Sequence, residues 1–494
     1  MPESESRAKP LSTDISPNPR VRSTSTPRTA ARIVPMRLAR IVASLIAALV
    51  CVGMLRSNEP PAAVPPELPP NILVIVADTL RADRLHFAGH SAAQSPRLDA
   101  LQRESVWFEH AYSTSSWTLP STASLFTSQL VSEHLVSSWG SRLRPEHVTL
   151  VDSLSAAGYR TAMWTANRVI AGQRGFTERF DHSELVIHPR FRGGAPLTEA
   201  AFGSGQALAE GALAWLDADL IRKDPAPFFA YLQLMEPHAP YLCAPDAGAS
   251  CQNRAYLLNS KILNFEWNLD AEDQALLDEL YDAEVSRFDT ALGTLLDGLD
   301  ARGLLDSTWV VVVSDHGELL GEAGMYAHGR TLFDSTIHIP LIVRSPSGES
   351  GRIETPVSLI DLAPTILDLA GVVPPQSFRG ESLRPGLEGH SLPERPIVSE
   401  LLQVGAQPDP RQMHFVAIRD GNEKFVMRTD GRIDRFDLSA DPDELYPRAT
   451  DEDAFYALLG SAGARVDYAT YAAPEFSEPT ARMRQNLEAL GYLH

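Results

Sequence analysis

The sequence predicts an α/β protein in which a large, mainly parallel β-sheet is sandwiched by helices and followed by a small C-terminal antiparallel sheet subdomain. Three observations predict it. Segments such as NILVIVA at 71–77 and TWVVVV at 308–313 are continuously apolar and rich in branched residues, as strands buried on both faces are. Segments of helical periodicity lie between such strands, which calls for crossover connections and hence parallel pairing. From about Ser391 the texture changes to VAIRDGNEKFVMRTDGRIDRFDLSADPDE, where apolar and polar residues alternate around Asp-Gly turns, the mark of antiparallel hairpins.

The N-terminal region differs in charge from everything after it. The chain has 494 residues, with 43 Lys/Arg and 63 Asp/Glu; the first 56 residues hold nine of the bases and three of the acids, so the net −20 divides into +6 there and −26 beyond. A body that acidic repels phosphate backbones, which excludes a nucleic-acid partner. Residues 1–40 read as a disordered basic tail. Residues 41–55, IVASLIAALVCVGML, are apolar without interruption and flanked by Arg37, Arg40 and Arg56, whose stems lengthen a short span. Residues 41–56 are therefore expected to be a membrane anchor, with the tail cytoplasmic and the rest of the chain on the periplasmic or extracytoplasmic side. A cleaved secretory signal fits less well, because its basic region would run to 40 residues and no A-x-A-like site follows. Six prolines within 57–70 make a stiff extended spacer, and no 20–50-residue repeat follows it.

After the spacer, Asn71–Ala77 is a strand that ends at the polar DTLRAD. Ser95-Pro96 caps and opens a helix through about Ser105, Thr149–Ala157 is a helix stopped by Gly158, and Thr161–Thr165 is a strand. Pro227–Leu234 is another buried strand, Ala271–Arg302 a long amphipathic helix, and Thr308–Val313 the clearest inner strand. Cys243 and Cys251, eight apart in the polar loop YLCAPDAGASCQN, are expected to close a local disulfide in an oxidising compartment.

In an open α/β sheet, ligands bind outside the carboxyl ends of the strands. Asp78 follows the first strand and Asp315-His316 follow the TWVVVVS strand. A single Asp after a strand is more often a cap or turn residue; the three together form a divalent-metal constellation. Carboxylates with a neutral imidazole suit one Mn2+ or Zn2+ ion ahead of Ca2+ or Mg2+. In SSWTLPSTASLFTS at 115–128, Thr118 immediately precedes a helix start at Leu119-Pro120-Ser121, where backbone N–H groups favour an anion. A Thr hydroxyl is a weak nucleophile alone and a competent one when a metal lowers its pKa.

These segments, NILVIVADTLRADRL, SSWTLPSTASLFTS, MEPHAPY, VVVSDHGELLGE, AHGRTLFDSTIHIPLIV and FDLSADPDE, occur in an order and spacing that resembles the sulfatase family of the alkaline phosphatase superfamily, over about residues 71–450. The resemblance implies a metal at the sheet edge held by Asp78, Asp315 and His316, with Thr118 as nucleophile and fourth ligand. It implies that His238 assists the leaving group, that Arg330 binds the anionic oxygens of the substrate where relatives often carry a lysine, and that Asn167 contacts substrate; His328, beside Arg330, is a substrate contact or else a packing or capping residue. On this reading residues 71–390 are the catalytic domain and 391–494 the C-terminal subdomain.

The sequence departs from the family pattern at three points. The segment that in sulfatases proper begins with a Cys or Ser matured to formylglycine begins here with Thr118, which cannot be so matured. The Arg of that segment is replaced by Thr122. The two acid pairs of the pattern are Asp78-Thr79 and Asp315-His316 here. These departures favour phosphoric over sulfuric esters, so the expectation is a membrane-anchored, metal-dependent hydrolase of a small-molecule, glycan or lipid-head-group ester. A transferase of a phosphorylated head group and a catalytically inactive binding module are the alternatives. The sequence carries no signal of oligomeric state.

Overall fold

The computed structural model describes residues 69–186, 205–222, 226–243, 247–402, 415–428, 431–450 and 452–464. The expected basic tail, the 41–56 anchor and nearly all of the Pro-rich spacer lie outside these residues, and among the described residues no helix is long and apolar enough to cross a membrane.

The main sheet is built from β1 (Asn71–Ala77), β2 (Val106–Tyr112), β3 (Arg160–Thr165), β4 (His182–Leu185), β5 (Phe228–Leu234), β6 (Thr308–Ser314), then, after a short hairpin of β7 (Leu319–Leu320) and β8 (Tyr326–Ala327), β9 (His338–Arg344), β10 (Gly351–Ile353) and β11 (Val357–Ser358). Their order is β10-β2-β9-β6-β1-β5-β3-β4, with β11 also on β2. All pairings are parallel except those of β9, which runs against both β2 and β6. Pro340 sits inside β9, at the point where the β2 pairing shifts register between Phe108 and Ala111. A proline there lacks an N–H to give, so it occupies the irregularity instead of the regular ladder.

The helices of seven or more residues that accompany these strands among the described residues are α1 (Pro96–Arg103), α2 (Thr118–Thr127), α3 (Leu150–Ala156), α4 (Gly205–Arg222), α5 (Gly248–Leu263), α6 (Ala271–Ala301) and α7 (Leu362–Leu369). Alternate residues of β1 face opposite cores. Ile72, Val74 and Val76 pack with α2, α3 and α7, whereas Leu73, Ile75 and Ala77 pack with α1, α4, α5 and α6. This double burial is why the strand sequence is apolar at every position from Ile72 to Ala77. The caps follow from sequence: Thr149 and Asp152 close a capping box on α3, and the Asp270 side chain accepts from the N–H groups of Glu272 and Asp273 at the start of α6.

The second sheet comprises β12 (Ile397–Leu401), β13 (Phe415–Asp420), β14 (Glu423–Arg428), β15 (Ile433–Asp437) and β16 (Arg448–Ala449), antiparallel in chain order. One face joins the main core through Phe415, Ala417, Val426 and Phe436; the other is covered by α8 (Glu452–Ser461) through Val416, Ile418, Phe425 and Met427 against Phe455 and Leu459. At the junction Ser399 Oγ donates to Ser113 O at 2.6 Å and the Glu400 N–H to Thr114 O at 2.7 Å. Strand β12 thus pins the backbone of the Ser-rich segment that leads to Thr118.

Cys243 and Cys251 are disulfide-bonded. The segment expected to be one polar loop is in part helical, since Cys251 lies in the first turn of α5.

Candidate active site

Strand β1 lies between β5 and β6 at the centre of the sheet, so the residues just past their carboxyl ends meet. Asp78, Asp315 and His316 each present a ligand atom within 4.8 Å of the others, and all three are buried. His316 Nδ1–H donates to Gly317 O at 2.8 Å, which leaves Nε2 as the lone-pair nitrogen facing both carboxylates at 3.7 Å. Gly317 is needed for close approach: a Cβ there would lie 2.1 Å from Ser335 O, because the Gly317 and Glu318 N–H groups bond the backbone of the segment entering β9.

Thr118 is the first residue of α2. Its Oγ1 is 3.5 Å from each Asp78 oxygen and 3.3 Å from His316 Nε2. The hydroxyl therefore faces the same space as the three ligands, at a helix N-terminus whose free N–H groups suit an anionic substrate. Asn167, after β3, donates to Asp78 Oδ2 at 2.6 Å and lies 3.4 Å from Thr118 Oγ1.

Sequence reading passed over Gln233. Its Nε2 is 3.2 Å from Asp78 Oδ2 and 3.1 Å from Asp315 Oδ2, and its Oε1 accepts from Tyr231 at 2.8 Å. The available signal was a single amide in the otherwise apolar end of FFAYLQL. Thr79 was also passed over. It adopts φ 64, which is rare for a β-branched residue, with its N–H 3.4 Å from Asp315 Oδ1.

Burial raises the pKa of Asp78, and the neighbouring Asp315 raises it further; burial pushes Asp315 up to about 7. His316 lies 3.7 Å from both, and burial and nearby His328 hold it neutral by lowering its pKa to about 3. Two buried carboxylates facing a neutral imidazole, with no Lys or Arg between them, make a donor set that fits a divalent cation.

The wall beside this group is formed by histidines. His238 is buried after β5, and its Nδ1–H donates to Ala239 O. Its ring meets that of His328 edge-on at 5.0 Å, and His328 in turn packs on His316 at 4.6 Å. Glu318, also unanticipated, accepts from His328 Nδ1 at 2.9 Å and from the Tyr241 hydroxyl at 3.0 Å. The Arg330 guanidinium rests over Phe265 at 4.2 Å and Trp267 at 5.2 Å, while the preceding Gly329 N–H bonds Ser116 O at 2.8 Å. Thr122, where the family pattern has Arg, is fully buried.

A metal-ligand triad at the carboxyl edge of a parallel sheet, faced by a hydroxyl at a helix start, defines a metal-dependent ester hydrolase. The comparisons with known proteins then place the chain: it belongs to the sulfatase family, whose profile matches residues 70–372, and residues 321–455 match the profile described as N-sulphoglucosamine sulphohydrolase, C-terminal. It is 28% identical to an arylsulfatase K of Danio rerio over 385 residues, covering 69% of this chain and 70% of the relative. It is 27% identical to a choline-sulfatase of Rhizobium meliloti over 432 residues, covering 76% and 81%. Among solved structures, the phosphonate monoester hydrolase of Agrobacterium radiobacter superposes with a TM-score of 0.66 at 24% identity, covering 80% of this chain and 94% of that one. The chain is accordingly a sulfatase-family hydrolase of a sulfuric or phosphoric ester.

Proposed function

We propose that within this class the chain cleaves a phosphoric ester, monoester or diester, with Thr118 as nucleophile. The observation that carries the reading is the position of Thr118 Oγ1, a hydroxyl that no maturation converts to an aldehyde hydrate, facing Asp78 and His316 at 3.5 and 3.3 Å. A divalent ion held by Asp78, Asp315, His316 and Thr118, with Mn2+ or Zn2+ the best match to two carboxylates and an imidazole, would supply Lewis-acid polarisation at that hydroxyl. Thr118 Oγ1 attacks phosphorus and gives up its proton to solvent, and the bond to the alcohol oxygen breaks. His238, with Nδ1–H committed to Ala239 O, takes up a proton from solvent at Nε2 and passes it to the departing oxygen, which leaves as the alcohol. Water then cleaves the threonyl phosphate and restores the hydroxyl. Asn167 and Gln233 hold the ligands in place, and Arg330 is the cation for the substrate's oxygens.

The test is turnover of an aryl sulfate, a phosphate monoester, a phosphodiester and a phosphonate monoester by purified residues 57–494 in Mn2+, Zn2+, Mg2+ or Ca2+. Phosphorus esters are expected to turn over fastest, with loss of roughly 1,000-fold or more in Thr118→Ala. Full activity of Thr118→Ala would end the nucleophile assignment, and preferential turnover of the aryl sulfate would end the phosphorus preference. Release of alcohol without phosphate would show head-group transfer.

We further propose that the protein is anchored by residues 41–56 with its hydrolase on the extracytoplasmic side, supported by that apolar, Arg-flanked segment and by the Cys243–Cys251 disulfide. Recovery of the full chain in the soluble fraction of lysed cells would refute the anchor.

A further inference from the structure

The wall carrying His328 continues outward into a patch of aromatic rings. Tyr326, His328 and Arg330 follow each other at every second residue. The middle one packs on the metal-ligand candidate His316 at 4.6 Å, while the outer two reach Trp267: the Tyr326 ring at 6.3 Å and the Arg330 guanidinium at 5.2 Å. Phe265 completes the patch, edge-on to Trp267 at 5.6 Å and with Arg330 4.2 Å over its face. Phe265 adopts φ 58, a left-handed conformation that costs an aromatic residue energy, and the residue is 41% exposed. The fold therefore holds a large apolar ring at the surface with a cation stacked on it.

We infer that Phe265 and Trp267, with Arg330 between them and the catalytic wall, form the subsite for the alcohol part of the ester, and that this subsite takes a six-membered ring by its flat face. The position argues for this occupant. Gly329 N–H bonds Ser116 O at 2.8 Å, two residues before Thr118, so the Arg330 segment flanks the nucleophile itself. A substrate with its anionic group at Thr118 projects its alcohol along this wall. Arg330 then faces an anionic oxygen on one side while its guanidinium plane lies against the aromatic patch on the other, and a ring on the alcohol extends the stack. Aryl and pyranose rings share this chemistry, and either would be selected over a short alkyl group. The inference rests on the ester-hydrolase reading of the site and adds the leaving-group class to it.

The experiment uses the Mn2+-loaded protein and measures direct calorimetric binding of methylphosphonate, phenylphosphonate and glucose 6-phosphate to wild type, Phe265→Ala, Trp267→Ala and the rescue variant Phe265→Tyr. Wild type should bind the ring-bearing anions roughly five- to tenfold tighter than methylphosphonate. Each alanine variant should lose that margin while its methylphosphonate affinity changes less than about twofold, and Phe265→Tyr should keep it. The source of the ring is read from which ligand loses affinity: phenylphosphonate for an aryl alcohol, glucose 6-phosphate for a sugar. Equal weakening of all three ligands would overturn the subsite, because the rings would then only hold Arg330. Equal affinity of wild type for all three would overturn it too. If the wild type binds none of the anions and turns over no ester, the hydrolase reading falls and the subsite with it.

Discussion

The side-chain amide of Gln233 donates to Asp315 at 3.1 Å, and the same nitrogen stands 3.2 Å from Asp78. One amide, itself oriented by the Tyr231 hydroxyl, sets the spacing of two carboxylates from strands on either side of it in sequence. Gln233→Leu should weaken divalent-metal affinity by roughly 10- to 100-fold while the chain stays folded. Isothermal titration with Mn2+, beside far-UV circular dichroism, checks both halves; unchanged affinity would remove Gln233 from the supporting shell.

Metal affinity should depend on pH through Asp315. Its folded pKa is raised to about 7, so below pH 7 the metal-free protein holds a proton that the metal must displace, and above pH 7 it does not. The apparent affinity should therefore rise roughly tenfold per pH unit up to about 7 and flatten beyond it. Titrations at pH 5.5, 6.5, 7.5 and 8.5 test the slope, and an affinity that falls with rising pH contradicts it.

His134 should set part of the acid sensitivity of the fold. It is buried, its Nδ1 accepts the Val136 N–H at 3.0 Å, its Nε2 lies 3.0 Å from Ser124 Oγ, and burial lowers its pKa to about 3. Because the unfolded chain takes up the proton at about 6.5 and the folded one does not, stability is full above pH 6.5 and declines as pH falls from 6.5 toward 3. The loss should reach up to about 4 kcal/mol at the lower end. Urea melts of wild type and His134→Gln at pH 7 and pH 4.5 should show the smaller pH dependence in the variant; equal pH dependence would rule His134 out.

Lys424 is fully buried in the second sheet, 2.7 Å from Asp334 and 2.7 Å from Glu444. Asp334 also pairs with Arg419 at 2.5 Å. Lys424→Met leaves the buried Glu444 and the half-buried Asp334 short of a cation and should destabilise the chain by roughly 3 kcal/mol, an effect visible as a lower denaturation midpoint. Replacing Glu444 as well, in Lys424→Met/Glu444→Gln, should recover a large part of it, since Asp334 keeps Arg419. A Lys424→Met midpoint equal to wild type would show that water reaches the cluster.

The strands and the chemistry placed just after them were the legible part. Ile72–Ala77 and Trp309–Val313 are apolar at every position because both faces are covered, and in this fold the polar residues at the end of such a strand stand at the ligand-binding edge, as Asp78 and Asp315 do. The supporting residues were not legible in the same way. Gln233 lies inside a strand whose pattern says core, and its two carboxylate partners are 155 and 82 residues away. Glu318 reads as an ordinary acid until folding sets it against His328 and Tyr241. Strand β9 was hidden by Pro340, tolerated only because the ladder is already broken there. The aromatic patch joins a connection between two helices to a segment some 60 residues later, a proximity that no local periodicity encodes.

The bonds from Ser399 and Glu400 to Ser113 and Thr114 bear on the order in which the enzyme comes into being. A nascent chain that has left the ribosome only as far as residue 390 already contains Asp78, Asp315, His316 and every strand of the main sheet, yet the backbone leading to Thr118 still lacks the strand that pins it. The strand that holds the backbone before Thr118 thus lies in the final fifth of the polypeptide, behind every residue of the candidate metal site in order of synthesis.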